Sequence, residues 1–148
     1  MLDSSEGSIP EGDQYEKLNF RIANVRVDHS FIETYGMQMA AGRNFSVAFP
    51  TDSTEAFILN ETAVKKIGWS SPEAAIGKAF QYGNRKGRII GVVKDFNYES
   101  LHQPITPVVL YIVAPSFNSI SVRIRADRPA DIAATLDFLK QKWQELRP

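Results

Sequence analysis

Gly77-Lys78 is where this chain comes nearest to a phosphate-binding loop, and its neighbours do not complete one. Pro72 stands where the first glycine is needed, and Ala79 where a magnesium-binding hydroxyl is needed. Gly83, Gly87 and Gly91 have the wrong spacing for a dinucleotide fingerprint, and no helix follows them closely. Any nucleotide the system uses is therefore expected on a different domain or subunit. Asp95, Glu99 and His102 would share a face if their segment were helical, since offsets of four and seven do so. The segment reads instead as a Pro-flanked polar loop, without the defined geometry and second shell a metal needs. Asp95 and Asn97 are expected to accept local turn hydrogen bonds, with Phe96 and Leu101 anchoring the turn by burial. His29 and His102 lack a Gly-x-Ser-x-Gly elbow or other nucleophile signature to serve. Glu55 and Glu61 read as surface and capping groups. The expectation is no catalytic, cofactor-binding or metal-ligating residue.

The composition, 43% hydrophobic and 23% charged, is ordinary for a globular domain. Seventeen basic residues balance seventeen acidic ones, so no net field recruits nucleic acid. Cysteine is absent, which removes disulfides, thiol catalysis and cysteine-ligated zinc together. A chain of 148 residues buries roughly 70% of its unfolded surface and makes one domain without staples. No apolar run approaches the roughly 20 residues that span a bilayer, and Met1 to Gly12 is too polar for a signal peptide.

The elements that must position these residues follow from period and punctuation. Residues 1–16 read as a polar tail or loop. Phe20 to Val27 reads as a strand with a bulge between Ile22 and Val25, and Asp28 as the cap of a short helix closed by Gly36. Gly42 to Pro50 reads as a loop. Ala56 to Leu59 is a buried strand, and Asn60 caps a helix that Gly68 ends. Ser71-Pro72-Glu73 starts a helix of about one turn that Gly77 closes. Phe80 to Tyr82 and Arg88 to Val93 flank a hairpin loop, and the apolar pairs Ile89-Ile90 and Val92-Val93 predict a central strand covered on both faces. Val108 to Val113 is a further strand. Ile120, Val122 and Ile124 alternate with Ser121, Arg123 and Arg125, which predicts a strand with one dry and one basic face; that basic face, with Arg128 beyond it, could meet an acidic partner. Pro129 starts the last helix, whose stripe of Ile132, Leu136, Leu139, Trp143 and Leu146 is expected to face a sheet.

Four stretches occur in order: Tyr35-Gly36-Met37, Ala41-Gly42-Arg43-Asn44-Phe45, the run from Phe57 to Trp69, and the run from Gly91 to His102. Together they resemble the extracytoplasmic domain of MacB/FtsX-like ABC-transporter permeases, most closely the Bacteroidetes type. The resemblance implies an α+β fold, with a mixed sheet, a βαβ-containing lobe and a smaller inserted α/β lobe. It implies one extracytoplasmic domain over 17–148, with lobe one at about 17–35 and 118–148 and lobe two at about 36–105. Family domains usually carry a further strand and helix ahead of the segment matching Asn24, where this chain has the polar residues 1–16. The implied place is the periplasmic side of the cytoplasmic membrane, within an integral membrane protein. The implied partners are the permease's own membrane helices, a cytoplasmic ATPase and a second permease copy. The implied role is coupling of ATP-driven helix motion to export or release of a substrate. The family shares no catalytic residues and implies no cofactor, so Gly42, Arg43, Asn60, Glu61, Gly77, Asp95, Phe96 and Asn97 stand as signature or coupling positions. A different class stays open: a small-molecule or peptide-binding module, which would show a pocket lined by Trp69, Tyr82 and Phe96.

Overall fold

A computed structural model describes residues 4–11, 14–97, 104–113, 120–124 and 129–146. The chain runs β1 (Ser4–Glu11), β2 (Gln14–Val27), α1 (Phe31–Thr34), β3 (Met39–Gly42), α2 (Asp52–Glu55), β4 (Ala56–Asn60), α3 (Glu61–Ile67), α4 (Pro72–Ala75), β5 (Ala79–Tyr82), β6 (Arg85–Val93), β7 (Val108–Ile112) and α5 (Pro129–Leu146). The strands form one mixed sheet in the order β3-β6-β4-β7-β2-β1-β5. β5 also pairs with β6, so six strands close into a ring and β3 lies beside the later half of β6. β4 runs parallel to β6, with α3 and α4 between them, which supplies the expected βαβ unit. β2 runs parallel to β7, from Ala23 opposite Val108 to Val27 opposite Ile112.

Period-two alternation explains the uninterrupted apolar runs of β4 and β7, and in β6 a register shift between Ile89 and Gly91 leaves Ile89 and Val92 on one face. Phe57, Leu59, Ile89, Val92 and Val109 point into one buried cluster with Ile22, Phe80 and Tyr82. Ile58, Val93, Val108, Leu110 and Ile112 point into a second with Val27, Ile32 and Phe45. β4, β6 and β7 are thus covered on both faces, as the paired residues of β6 predicted. The punctuation of α3 and α4 also holds. Asn60 Oδ1 accepts from the Ala63 amide at 3.1 Å, Ser71 Oγ from the Ala74 amide at 3.2 Å, and α4 carries Pro72 in its first turn.

Five expectations are corrected. Ser4–Glu11 is a strand, not a tail: it pairs with β2 and, at Gly7 and Ser8, with β5. Its stability comes from backbone bonds on both edges, which polar residues make as well as apolar ones. The β2 irregularity lies opposite Gly7, between the pairings of Glu6 with Arg21 and Ser8 with Lys17, because the ring closes there. Asp28 does not cap α1; it accepts from the Ser30 amide at 3.0 Å and makes a turn ahead of it. Residues 120–124 form no strand, and Ile120 is 77% exposed. Lastly, α5 exists, but Leu136 is 54% and Trp143 53% exposed, so its stripe does not close the core. The closed ring already covers both faces of its central strands, which leaves α5 outside.

Candidate functional site

The signature residues gather along two successive stretches of β6. At its C-terminal end, Asp95 holds the start of α3. Its Oδ1 accepts from the Thr62 amide at 2.8 Å and its Oδ2 from the Thr62 hydroxyl at 2.8 Å. Glu61 answers by accepting from the Asp95 amide at 3.1 Å. The first turn of a helix leaves amides without intrahelical acceptors, and here a carboxylate 33 residues away supplies one. Asp95 is therefore a long-range cap; the expected local turn acceptor is corrected on this point. Asn60, fully buried, extends the junction. Its Oδ1 also accepts from the Val108 amide at 2.9 Å, and its Nδ2 donates to the Thr106 carbonyl at 2.9 Å. One amide side chain thus ties β4, α3 and the entry to β7 together. Phe96 packs on the second core cluster, while Asn97 is exposed and outside this junction.

The other stretch, Ile89 to Gly91, carries Gly42, Arg43 and Gly77. Gly42 pairs with Gly91 at φ +71, and a Cβ there would collide with the Ile90 carbonyl oxygen, so only glycine fits. The Gly77 amide donates to the Ile89 carbonyl at 2.8 Å, and the Gly77 carbonyl accepts from Arg88 at 2.8 Å. Arg43 leaves this crossing to grip Asp52 with two bonds of 2.6 and 2.8 Å, while the Ser46 amide donates to the same carboxylate at 2.9 Å. Asp52 is 1% exposed. Burial alone would push its carboxyl up, but the Arg43 and Ser46 bonds and the Arg43 charge outweigh that and hold it below the usual range. The same hydrogen bond raises the Arg43 guanidinium, against the opposing effect of its burial. Arg85 adds a second cation: it donates to the Ile112 carbonyl and lies 5.5 Å from the Phe57 ring and 5.4 Å from the Tyr111 ring. Burial pushes its guanidinium down.

Sequence reasoning missed Thr62, Asp52 and Arg85. Thr62 follows Asn60-Glu61 and could have been flagged as a first-turn hydroxyl, but its acceptor is distant in sequence. Asp52 and Arg85 carry no local signal for burial.

Trp69, Tyr82 and Phe96 do not share a pocket. Tyr82 is buried and donates to the Ile22 carbonyl at 3.1 Å, Trp69 flanks the same cluster, and Phe96 lies against the other cluster. A different cleft of about 330 Å³ opens where Arg26, Phe31, Tyr35, Ile120 and Ser121 meet, with the Tyr35 and Ser121 hydroxyls 2.6 Å apart. Glu99 and His102 lie outside the described residues; among those residues no three metal-ligating side chains cluster.

The fold is shared with solved extracytoplasmic domains of transporters. The periplasmic region of MacB from Actinobacillus actinomycetemcomitans aligns with a TM-score of 0.57 at 20% identity, over 95% of this chain and 64% of that one. A domain of a putative permease from Porphyromonas gingivalis aligns with a TM-score of 0.59 at 18% identity, over 99% of this chain and 68% of that one. The extracellular domain of the ABC-type transporter YknZ from Gram-positive bacteria aligns with a TM-score of 0.54 at 14% identity, over 90% and 67%. This chain therefore spans about two thirds of the length of the solved chains it matches. No curated protein matches its sequence. The chain belongs to the MacB-like periplasmic core domain family, whose model matches residues 4–142. Its place is the periplasmic side of the inner membrane, as part of a permease.

Proposed function

We propose that this domain couples ATP-driven motion of membrane helices to export or release of a substrate, with the end of β6 as the transmitting element. The observation that carries the reading is the Asp95 junction. A carboxylate just beyond β6 fixes the start of α3, and Asn60 fixes α3 to β7, so displacement of one element is passed to the others. Packed two-sided cores resist deformation and transmit strain. The partners in this reading are the permease's own membrane helices, the cytoplasmic ATPase acting through them, and a second permease copy. In this reading the strand of lobe one (17–35 with 118–148) joins the sheet of lobe two (36–105) only through strands that lie in neither, since β1 pairs with both β2 and β5, and β7 with both β2 and β4. The test is Asp95→Ala in the full permease, alongside thermal melting of the variant domain. A folded domain with transport lost is the expected result; unchanged transport would remove β6 from the coupling path.

A second reading, an extracytoplasmic small-molecule or peptide-binding module, draws on the Arg26–Tyr35–Ser121 cleft, which mixes apolar walls with polar groups. Calorimetry with ATP, divalent metals and lipopeptides separates the two: binding abolished by Tyr35→Ala favours the module, and silence favours coupling.

A further inference from the structure

The ring of strands is not equally strong all round. Among the described residues, the joins β1–β2, β2–β7, β4–β6 and β5–β6 each run over four residue pairs or more. The other two are short. β4 meets β7 at Ile58 opposite Leu110 and Leu59 opposite Val109, and β1 meets β5 at Gly7 opposite Tyr82 and Ser8 opposite Gln81. These two joins divide the ring into β1-β2-β7 on one side and β4-β6-β5 on the other. They differ in what backs them. At the β4–β7 join all four residues are fully buried. Asn60 clamps the start of β7 through the Val108 amide, and Arg85 clamps its end through the Ile112 carbonyl. This clamp gives the partly buried Arg85 a use: its guanidinium lies between Phe57 of one side and Tyr111 of the other. The first core cluster draws on all six strands and so lies within the ring, while the second, with Ile58, Val108, Leu110 and Ile112, covers the β4–β7 join from outside. No described residue of β1 or β5 belongs to that second cluster. The β1–β5 join is held by Tyr82, which reaches past β1 to donate to the Ile22 carbonyl of β2 at 3.1 Å and accepts from Asn24 Nδ2 at 3.1 Å. Gly7 permits the close approach, since a Cβ there would stand 3.0 Å from the Ile22 and Phe80 side chains.

We infer that the ring opens at the β1–β5 join with the clamped β4–β7 join as its hinge, so that the two sides part without unfolding. A short join backed by one core is where sub-global opening starts. The use of this opening in transport rests on the coupling reading above; the opening itself belongs to the domain. Native-state amide exchange against urea measures it. Amides bonded across the β1–β5 join should exchange with a smaller denaturant slope than those across β4–β7. Ile58→Val should speed exchange at β4–β7 about two- to tenfold and leave the β1–β5 amides unchanged, because the hinge stays packed in the open form. Ser8 and Gln81 alternate with the inward Gly7 and Tyr82, so they point outward, and the chain has no cysteine to compete for a bridge. Oxidised Ser8→Cys with Gln81→Cys, a facing pair within disulfide reach, should lift the β1–β5 amides to the slope of the hinge. In the full permease the oxidised pair should stop transport, and a reductant should restore it. A full slope at β1–β5 in the unaltered chain, or equal speeding of both joins by Ile58→Val, overturns the proposal whether or not the domain couples and whether or not the bridge forms. Normal transport by the oxidised permease overturns it too, and Asp95→Ala then decides separately whether coupling stands.

Discussion

β4 and α5 both carry clear apolar signals, a continuous run in one and a stripe at spacings of four and three in the other, and end in opposite surroundings. Every residue of β4 is buried, whereas the stripe of α5 faces outward. β4 has a bonded neighbour on each edge, β6 and β7, and a packed cluster on each face. α5 follows residues 120–124, which pair with no strand among the described residues. An apolar pattern therefore says that a surface must be covered, and the hydrogen-bonded neighbours decide by what.

The largest effect expected from breaking this contrast is in β4. Phe57→Ala should cost about 3–5 kcal/mol in urea denaturation, because the ring is fully buried against Phe80. Arg43→Ala should follow at about 2–4 kcal/mol, less than for a wholly buried pair because Arg43 is partly exposed, since it strands the Asp52 carboxylate. The pair also sets a pH dependence. Asp52 is held below its usual range in the folded state, so its stabilisation is complete above the unfolded carboxyl value of about 3.9. It is lost as pH falls from there through the lower folded value. Asp52→Asn should flatten that acid limb in a melting series. Asp95→Ala should cost about 1–3 kcal/mol, because the Thr62 amide and hydroxyl lose a charged acceptor. Leu136→Ala should cost less than about 1 kcal/mol, because the side chain is already half exposed and leaves no cavity.

Local chemistry made much of the fold readable. The caps at Asn60 and Ser71, the stops at Gly68 and Gly77 and the two-faced strand before Asp95 all follow from rules acting within a few residues. The order of the signature stretches pointed to the family without showing how they touch. That Asp95 reaches Thr62, and Arg43 reaches Asp52, depends on β6 lying between β3 and β4, a pairing no local pattern specifies. β1 was hidden for the same reason: its residues are polar, and its place is fixed by ring closure against β5. The error at α5 ran the other way, since a clear stripe was assigned to a sheet whose faces were already filled.

Native-state amide exchange tests the central contrast most directly. The amides of Thr62, Ala63 and Val108 are bonded to Asp95 or Asn60 side chains, and they should exchange only through global unfolding, tracking denaturant with the full m-value. The α5 amides should exchange through local opening, with far lower protection. Equal, global protection of α5 and the junction would contradict the account, and fast exchange at Thr62 and Val108 would remove the junction from any coupling role.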